Sequence, residues 1–383
     1  MLFSAPKLDV QDREVLGRID GLRTSLQHAV STPLRWTRVL RRLTYARAIQ
    51  GSNSIEGYNV SVEDAIAAVE GEEPLDAEDE AWEAVTGYRS AMTYVLQLSN
   101  DPHFSYATAL LRSLHYMMLN YDLTKHPGKW RPGPIHVRND ATGEIVYEAP
   151  DAELVPDLME KLALGLNAPD TTPAMVRAAM SHLNLVMIHP FSDGNGRMAR
   201  CLQTLVLARE GILAPEFCSV EEYLGRNTQD YYAVLARVGE GGWHPENDSR
   251  PWIRFMLTAH FRQASTLLRR TKEMKRTWDE LEREIQRRGL PDRVLFALAE
   301  AALGFKVRNS TYRSAAEVSL QVASRDLKLL ADQGLLLAHG ERRGRHYTAS
   351  EAVLAIRQRV REPRKIPDPY KEPLHLPGLV PPS

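Results

Sequence analysis

His189-Pro190-Phe191-Ser192-Asp193-Gly194-Asn195-Gly196-Arg197-Met198-Ala199-Arg200 lies between two apolar helical runs. Before it, Met175, Ala178, Ala179, His182, Leu183, Val186 and Met187 recur at helical spacing, which predicts a buried helix ending at Ile188. Pro190 disfavours continuing that helix through His189. After it, Met198, Cys201, Leu202, Leu205 and Val206 line one face of a second predicted helix, Gly196 to Glu210. Phe191 to Gly196 therefore sits at a helix N-terminus, where free backbone N–H groups and the helix dipole favour an anion. Gly194 and Gly196 let backbone approach that anion closely. Arg197 and Arg200 share a face in the first turn, where cations oppose the dipole. Local stability does not explain them, and a polyphosphate ligand does. Asp193 could hold a hard divalent cation against phosphate oxygens. Asn195 could donate to a phosphate oxygen, and the His189 imidazole could take a proton from an incoming hydroxyl. Any three of these residues would make an ordinary interhelical turn, with Asp193 as an N-cap. The whole string argues for a nucleotide site.

The string resembles the Fic signature, His-Pro-Phe-x-(Asp/Glu)-Gly-Asn-(Gly/Lys)-Arg-x-x-Arg, at every position. The resemblance implies a helical core that moves AMP from ATP to a Tyr, Thr or Ser hydroxyl of a target protein, with Mg2+. By the same resemblance His189 is the general base and Asp193 the metal ligand. Phe191, Gly194, Asn195 and Gly196 belong to the ATP-binding loop, with Asn195 and loop N–H groups at the α-phosphate. Arg197 neutralises the inner phosphates, and Arg200 reaches the γ-phosphate.

Ser52-Asn53-Ser54-Ile55-Glu56-Gly57 reads by itself as a polar loop or helix end, with Gly57 as C-cap. It also resembles the Fic inhibitory motif, (Ser/Thr)-x-x-x-Glu-(Gly/Asn). That resemblance implies that Glu56 pairs with Arg200, often in bidentate fashion, and withholds it from the γ-phosphate. Ser52 would hydrogen-bond near Asn195 and anchor the inhibitory helix.

Pro134-Ile135-His136-Val137-Arg138 and Glu144-Ile145-Val146-Tyr147 flank a Gly-containing turn and predict a β-hairpin. In the Fic resemblance this is the target-docking flap, entered through Pro127-Gly128-Lys129-Trp130-Arg131. Strand addition would register the target there, with Ile135 and Val137 as clamping positions. Downstream, Asn227, Tyr231 and Tyr232 are expected to wall the adenine, although Tyr231 also fits core packing.

The 383 residues carry 43% hydrophobic and 25% charged residues and a formal net charge of −1, so bulk charge points to neither nucleic acid nor membrane. No apolar run approaches spanning length, and the N-terminus lacks the pattern of a signal peptide. Two cysteines, Cys201 and Cys218, fit a reducing cytoplasm. Residues 10 to 50 read as helical and basic, and 63 to 83 as acidic, so the two faces could attract each other. His115 reads as a satisfied core residue. Residues 257 to 289 read as a long charged connector or oligomerisation helix, leaving a homodimer open.

From 291 to 350, three short helices precede Leu335-Leu336-Leu337 and His346-Tyr347 around a basic tip. This resembles a winged helix-turn-helix, with Arg325 and Lys328 on the recognition helix and Arg342, Arg343 and Arg345 on the wing. Nine Lys and Arg against six Asp and Glu make the segment only mildly basic, so it could dock DNA or protein. Pro363 to Ser383 reads as an extended or disordered tail.

The expected fold is mainly α: a Fic helical core with a small β-hairpin flap, plus a C-terminal winged helix-turn-helix. The expected organisation is a helical lobe with the inhibitory motif (1–105), the catalytic core (106–262), a connector helix (263–290), the winged helix (291–350) and a terminal segment (351–383). The expected function is an autoinhibited protein adenylyltransferase. Two alternatives remain: AMP removal or another nucleotide donor on the same site, and a DNA-binding regulator whose core senses nucleotide.

Overall fold

The structure, a computed structural model, describes residues 1–30, 35–138, 142–211, 219–341 and 344–371. Helices dominate it. At the centre, α7 (Ala174–Ile188) and α8 (Asn195–Arg209) pack antiparallel across the signature loop. Both are buried on nearly every side, polar residues such as His182, Asn195 and Gln203 included, because other elements enclose them. Around them lie α4 (Asp79–Leu98), α5 (Thr108–Leu119) and α6 (Val155–Asn167). The chain before them forms α1 (Val10–Val30), α2 (Arg35–Ile55) and α3 (Val62–Glu70). Ser61 caps α3 by accepting the Asp64 N–H, and Gly71 closes it at φ 73°.

Helix α2 is seated against α9 (Glu221–Arg226) by glycine. A Cβ on Gly51 would lie 2.6 Å from the Glu221 carbonyl oxygen, and one on Gly225 would lie 2.7 Å from that of Gly51. Neither position has room for a side chain. Two short strands, β1 (His136–Arg138) and β2 (Ile145–Glu148), pair antiparallel with a bulge between Val137 and Arg138. This is the expected hairpin, although residues 139–141 of its turn lie outside the described residues.

After α10 (Thr228–Gly239) comes one continuous helix, α11 (Arg250–Arg288), with Pro251 in its first turn and Gly289 closing it at φ 64°. The helix begins before the expected 257 and runs continuously through residue 262. Trp252 and Met256 enter the central core, whereas Met274, Trp278, Leu281 and Ile285 are buried further along the same rod. The helix is a shared spine, because its apolar stripe continues through the charged stretch.

The C-terminal module holds α12 (Leu295–Ala302), α13 (Asn309–Ala316), α14 (Leu320–Asp332), the hairpin β3 (Leu336–His339) and β4 (His346–Ala349), and α15 (Glu351–Val360). Val307 exchanges two backbone hydrogen bonds with Tyr347, adding a bridge to the hairpin. Arg342 and Arg343 lie outside the described residues; Arg345 stacks on Tyr347 and donates to its hydroxyl.

The basic stretch and the acidic loop pair with each other and with this module. Arg42 reaches Glu70 at 3.2 Å and also Glu300, Arg38 pairs with Glu317 at 2.6 Å, and Lys306 pairs with Asp76 at 3.5 Å. The expected helical stretch 10–50 is two helices, with residues 31–34 outside the described set. The first part of the expected tail is anchored: Tyr370 donates to Asp12 at 3.3 Å and lies under Arg254. Among the described residues, no helix is long and apolar enough to cross a membrane.

Candidate active site

His189 ends α7 in the left-handed region, at φ 52°, with its N–H on the Leu185 carbonyl at 3.0 Å. A non-glycine residue in that region is uncommon and turns the chain abruptly. The ring Nδ1 lies 3.2 Å from the Val186 carbonyl oxygen, so Nδ1–H donates and Nε2 keeps its lone pair. Burial pushes the imidazole pKa down to about 4 against a smaller upward pull from the Val186 hydrogen bond, so the ring is neutral near pH 7. A neutral imidazole with Nε2 unprotonated is the form a general base requires.

The loop after His189 is held by buried groups. Phe191 is fully buried and stacks on His115 with ring centres 3.6 Å apart. His115 Nδ1 accepts the Gly128 N–H at 2.8 Å, so Nε2–H donates to the Asp193 carbonyl at 2.9 Å. His115 is a core residue, as expected, but one that clamps the signature loop. The Asn195 side chain accepts from Phe191 N and donates to Phe191 O, both at 2.9 Å. Asn195 and Phe191 thus shape the loop from inside, and the amide expected at a phosphate is already engaged. Gly194 adopts φ 76°, and a Cβ there would lie 2.7 Å from Leu119. Arg131, which sequence reasoning noted only as part of the flap entry, donates to the His189 carbonyl at 2.8 Å and also to Gly133 and Pro150.

Both signature arginines are buried. Arg197 is fully inaccessible, and its Nε, Nη1 and Nη2 have no hydrogen-bond partner. Asp193 Oδ2 lies 3.8 Å from its Nη2, and the Tyr58 ring lies 5.0 Å from its Cζ. A buried guanidinium without acceptors is costly unless an anion completes it. Arg200 Nη2 donates to Glu56 Oε1 at 2.6 Å and to the Ser52 carbonyl at 2.9 Å, and Nε donates to Ser52 Oγ at 2.8 Å. Burial would depress the Arg200 pKa, but Glu56, Tyr231 and Tyr88 outweigh it and the net shift is upward. The pair uses one carboxylate oxygen, not the bidentate fork expected; Ser52 holds Nε and shares Nη2 with Glu56, and Nη1 has no hydrogen-bond partner. Ser52 therefore anchors Arg200 rather than Asn195.

Glu56 also lies over the N-terminus of α8. A Cβ on Gly196 would lie 2.4 Å from Glu56 Oε1, so only glycine lets the carboxylate settle there. Its charge occupies the place where the helix dipole favours an anion. Gly57, at φ 85°, turns the chain away immediately afterwards.

Tyr231 is buried, its hydroxyl 2.9 Å from His182 Nε2, and it packs against Trp252. It is core, not an exposed wall, because its helix turns that face inward. Tyr232 is exposed and donates to the Ile55 carbonyl at 3.1 Å, at the end of α2. Asn227 donates to the Tyr223 carbonyl at 2.8 Å. Ile135 and Val137 are half-buried, whereas Ile145 and Val146 are exposed on the paired strand.

Lys125 and Tyr58 are residues that sequence reasoning missed. The Lys125 Nζ lies 3.3 Å from Asp193 Oδ2 and donates to the Tyr58 hydroxyl at 2.9 Å. No motif marks Leu123-Thr124-Lys125. Only the fold of that 3-10 turn against the loop reveals it. Among the described residues, no three His, Cys, Asp or Glu side chains converge on a metal position.

The helical core and its loop are similar to those of known proteins. Residues 105–207 match the model of the Fic/DOC family, so the chain carries a Fic domain. It is 28% identical over 266 residues to the protein adenylyltransferase Fic of Nematostella vectensis, covering 66% of this chain and 55% of the relative. It is 29% identical over 257 residues to the protein adenylyltransferase fic-1 of Caenorhabditis briggsae, covering 66% of this chain and 46% of the relative. The chain spans about half the length of these relatives. Among solved structures, a Fic family protein from Desulfovibrio desulfuricans G20 superposes with a TM-score of 0.59 at 22% identity, covering 91% of this chain and 98% of that one. Fic-1 from C. elegans superposes at 0.54 with 23% identity, covering 67% and 72%. The fold is therefore that of Fic proteins, well beyond residues 105–207.

Proposed function

We propose that this chain transfers AMP from ATP to a Tyr, Thr or Ser hydroxyl of a target protein, and that its N-terminal lobe holds it inhibited. The observation that carries the reading is the Glu56 carboxylate on Arg200, over the α8 N-terminus, where a phosphate would otherwise lie. His189 Nε2 takes the proton of the target hydroxyl. The hydroxyl oxygen attacks the α-phosphorus in line, the bond to the β-phosphate oxygen breaks, and pyrophosphate leaves. Arg197 and Arg200 neutralise the inner and terminal phosphates, so catalysis is mostly positioning and charge neutralisation.

Asp193 suits Mg2+. It is one carboxylate with a 37% exposed side chain, and its Oδ2 already faces a cation, Lys125. One or two carboxylates plus phosphates is the usual magnesium arrangement. The ion would add charge neutralisation at the phosphates.

The exposed face of β1 and β2 is read as the target-docking flap. The C-terminal module has the element order of a winged helix-turn-helix, with Arg325 and Lys328 exposed on α14, and is read as a docking element for DNA or protein.

The test is label transfer from α-labelled ATP with Mg2+ to the protein itself and to lysate proteins. Glu56→Gly should raise labelling, and adding His189→Ala should abolish it. No labelling by any form, with ATP bound, would remove the transferase reading.

A further inference from the structure

We propose that Tyr58 is a second inhibitory residue, closing the phosphate site beside Glu56 by covering Arg197 and holding Lys125 against Asp193. The proposal rests on the autoinhibited-transferase reading and extends it to a second arginine.

Tyr58 cannot move independently of Glu56. The turn between them is tied back to α2 by Glu56 N on Asn53 O at 3.0 Å, Gly57 N on Ser54 O at 3.2 Å and Tyr58 N on Asn53 O at 3.1 Å. One rigid helix end thus presents two side chains to two arginines. Glu56 reaches Arg200 at 2.6 Å, and the Tyr58 ring lies 5.0 Å from the Arg197 guanidinium carbon. All three Arg197 nitrogens lack a hydrogen-bond partner, so the ring face is a principal neighbour of a buried cation. Cation–π attraction is strongest for such a desolvated pair.

The hydroxyl does something different. It accepts from Lys125 Nζ at 2.9 Å while that ammonium faces Asp193 Oδ2 at 3.3 Å. Lys125 thereby occupies the side of Asp193 where a phosphate-bound cation would sit. In this arrangement Glu56 pairs with Arg200, the Tyr58 ring covers Arg197, and the Tyr58 hydroxyl holds the Lys125 that faces Asp193. Withdrawing α2 would free Arg200, uncover Arg197 and release Lys125 together.

The experiment measures ATP affinity by calorimetry and self-labelling from α-labelled ATP in the full chain. It compares wild type, Tyr58→Ala, Tyr58→Phe, Glu56→Gly and Glu56→Gly/Tyr58→Ala, with thermal melting to confirm folding. Tyr58→Ala should tighten ATP binding about 3- to 30-fold, the range a cation–π contact supports. The double variant should exceed Glu56→Gly in both readouts. Tyr58→Phe, which keeps the ring, should fall between wild type and Tyr58→Ala. Unchanged or weaker ATP binding in Tyr58→Ala overturns the proposal, the weaker case making Tyr58 a nucleotide contact. If Glu56→Gly fails to raise labelling while Tyr58→Ala still tightens ATP binding, the transferase reading fails and Tyr58 keeps its covering role.

Discussion

The two ends of helix α2 make ion pairs of very different character. At its C-terminal end Glu56 meets an arginine only 1% exposed, itself braced by Ser52. At its N-terminal end Arg38 meets Glu317 at the surface, with side chains 59% and 73% exposed. Both pairs measure 2.6 Å. Distance alone therefore does not rank them; desolvation does. An exposed pair contributes about 0–1 kcal/mol, whereas removing one partner of a buried pair costs about 3–5 kcal/mol. Between the ends, Arg42 belongs with the buried class, since its side chain and that of Glu300 are 8% and 4% exposed.

The strongest test lies at the site beside the buried end. In a Glu56→Gly background, His189→Ala should lower the rate of label transfer roughly 100- to 10,000-fold, the range of general-base contributions. A residual rate within tenfold would reassign the base. Arg42→Ala should destabilise the fold by about 3–5 kcal/mol, because it leaves Glu300 buried and uncompensated. Denaturant midpoints would show this, and a loss below 1 kcal/mol would place Arg42 with the exposed pairs. Glu56→Gly should raise labelling roughly 10- to 100-fold, in line with about 1.5–3 kcal/mol for a hydrogen bond to a charged group.

Acid should act mainly on the buried region. Burial lowers His115 and His189 to about 4 and His182 to about 3, despite hydrogen bonds that pull each of them upward. Unfolded histidines take up protons near pH 6.5, the value for an unperturbed imidazole. Between about 6.5 and 4 the unfolded chain thus binds more protons, and stability should fall as pH falls through that window. Urea midpoints at pH 7 and pH 5 check this, and equal midpoints would contradict the burial of the three rings. The catalytic limb owed to His189 should stay flat from pH 8 to 6. The smallest effect is expected at the exposed end: Arg38→Ala should change stability by less than about 1 kcal/mol and labelling by less than about twofold.

The helices around the signature were legible because helical periodicity is local. Met175 to Ile188 and the run after Gly196 carry their burial in residue spacing, and Gly57 and Gly289 announce helix ends. The same locality misleads where a stripe continues past a change of composition. The charge of residues 263–288 suggests a separate connector, yet Met274, Trp278 and Leu281 keep one face apolar and one helix runs through. Tyr231 and Tyr232 are neighbours in sequence, but helical geometry sends one into the core beside His182 and leaves the other at the surface.

By itself the sequence determined the helical class, the loop chemistry at His189 to Arg200, and which residue types wait there for an anion. Those properties depend on contacts within a few residues. Tertiary structure alone decided that Ser52 braces Arg200, that Asn195 closes on Phe191, that Lys125 and Tyr58 join the site, and that the C-terminal module grips α2. Glu56 and Arg200 are 144 residues apart, and Arg38 and Glu317 are 279 apart. Partners so distant are selected by the packing of whole surfaces, because only burial sets the strength of each pair and which groups remain unpaired.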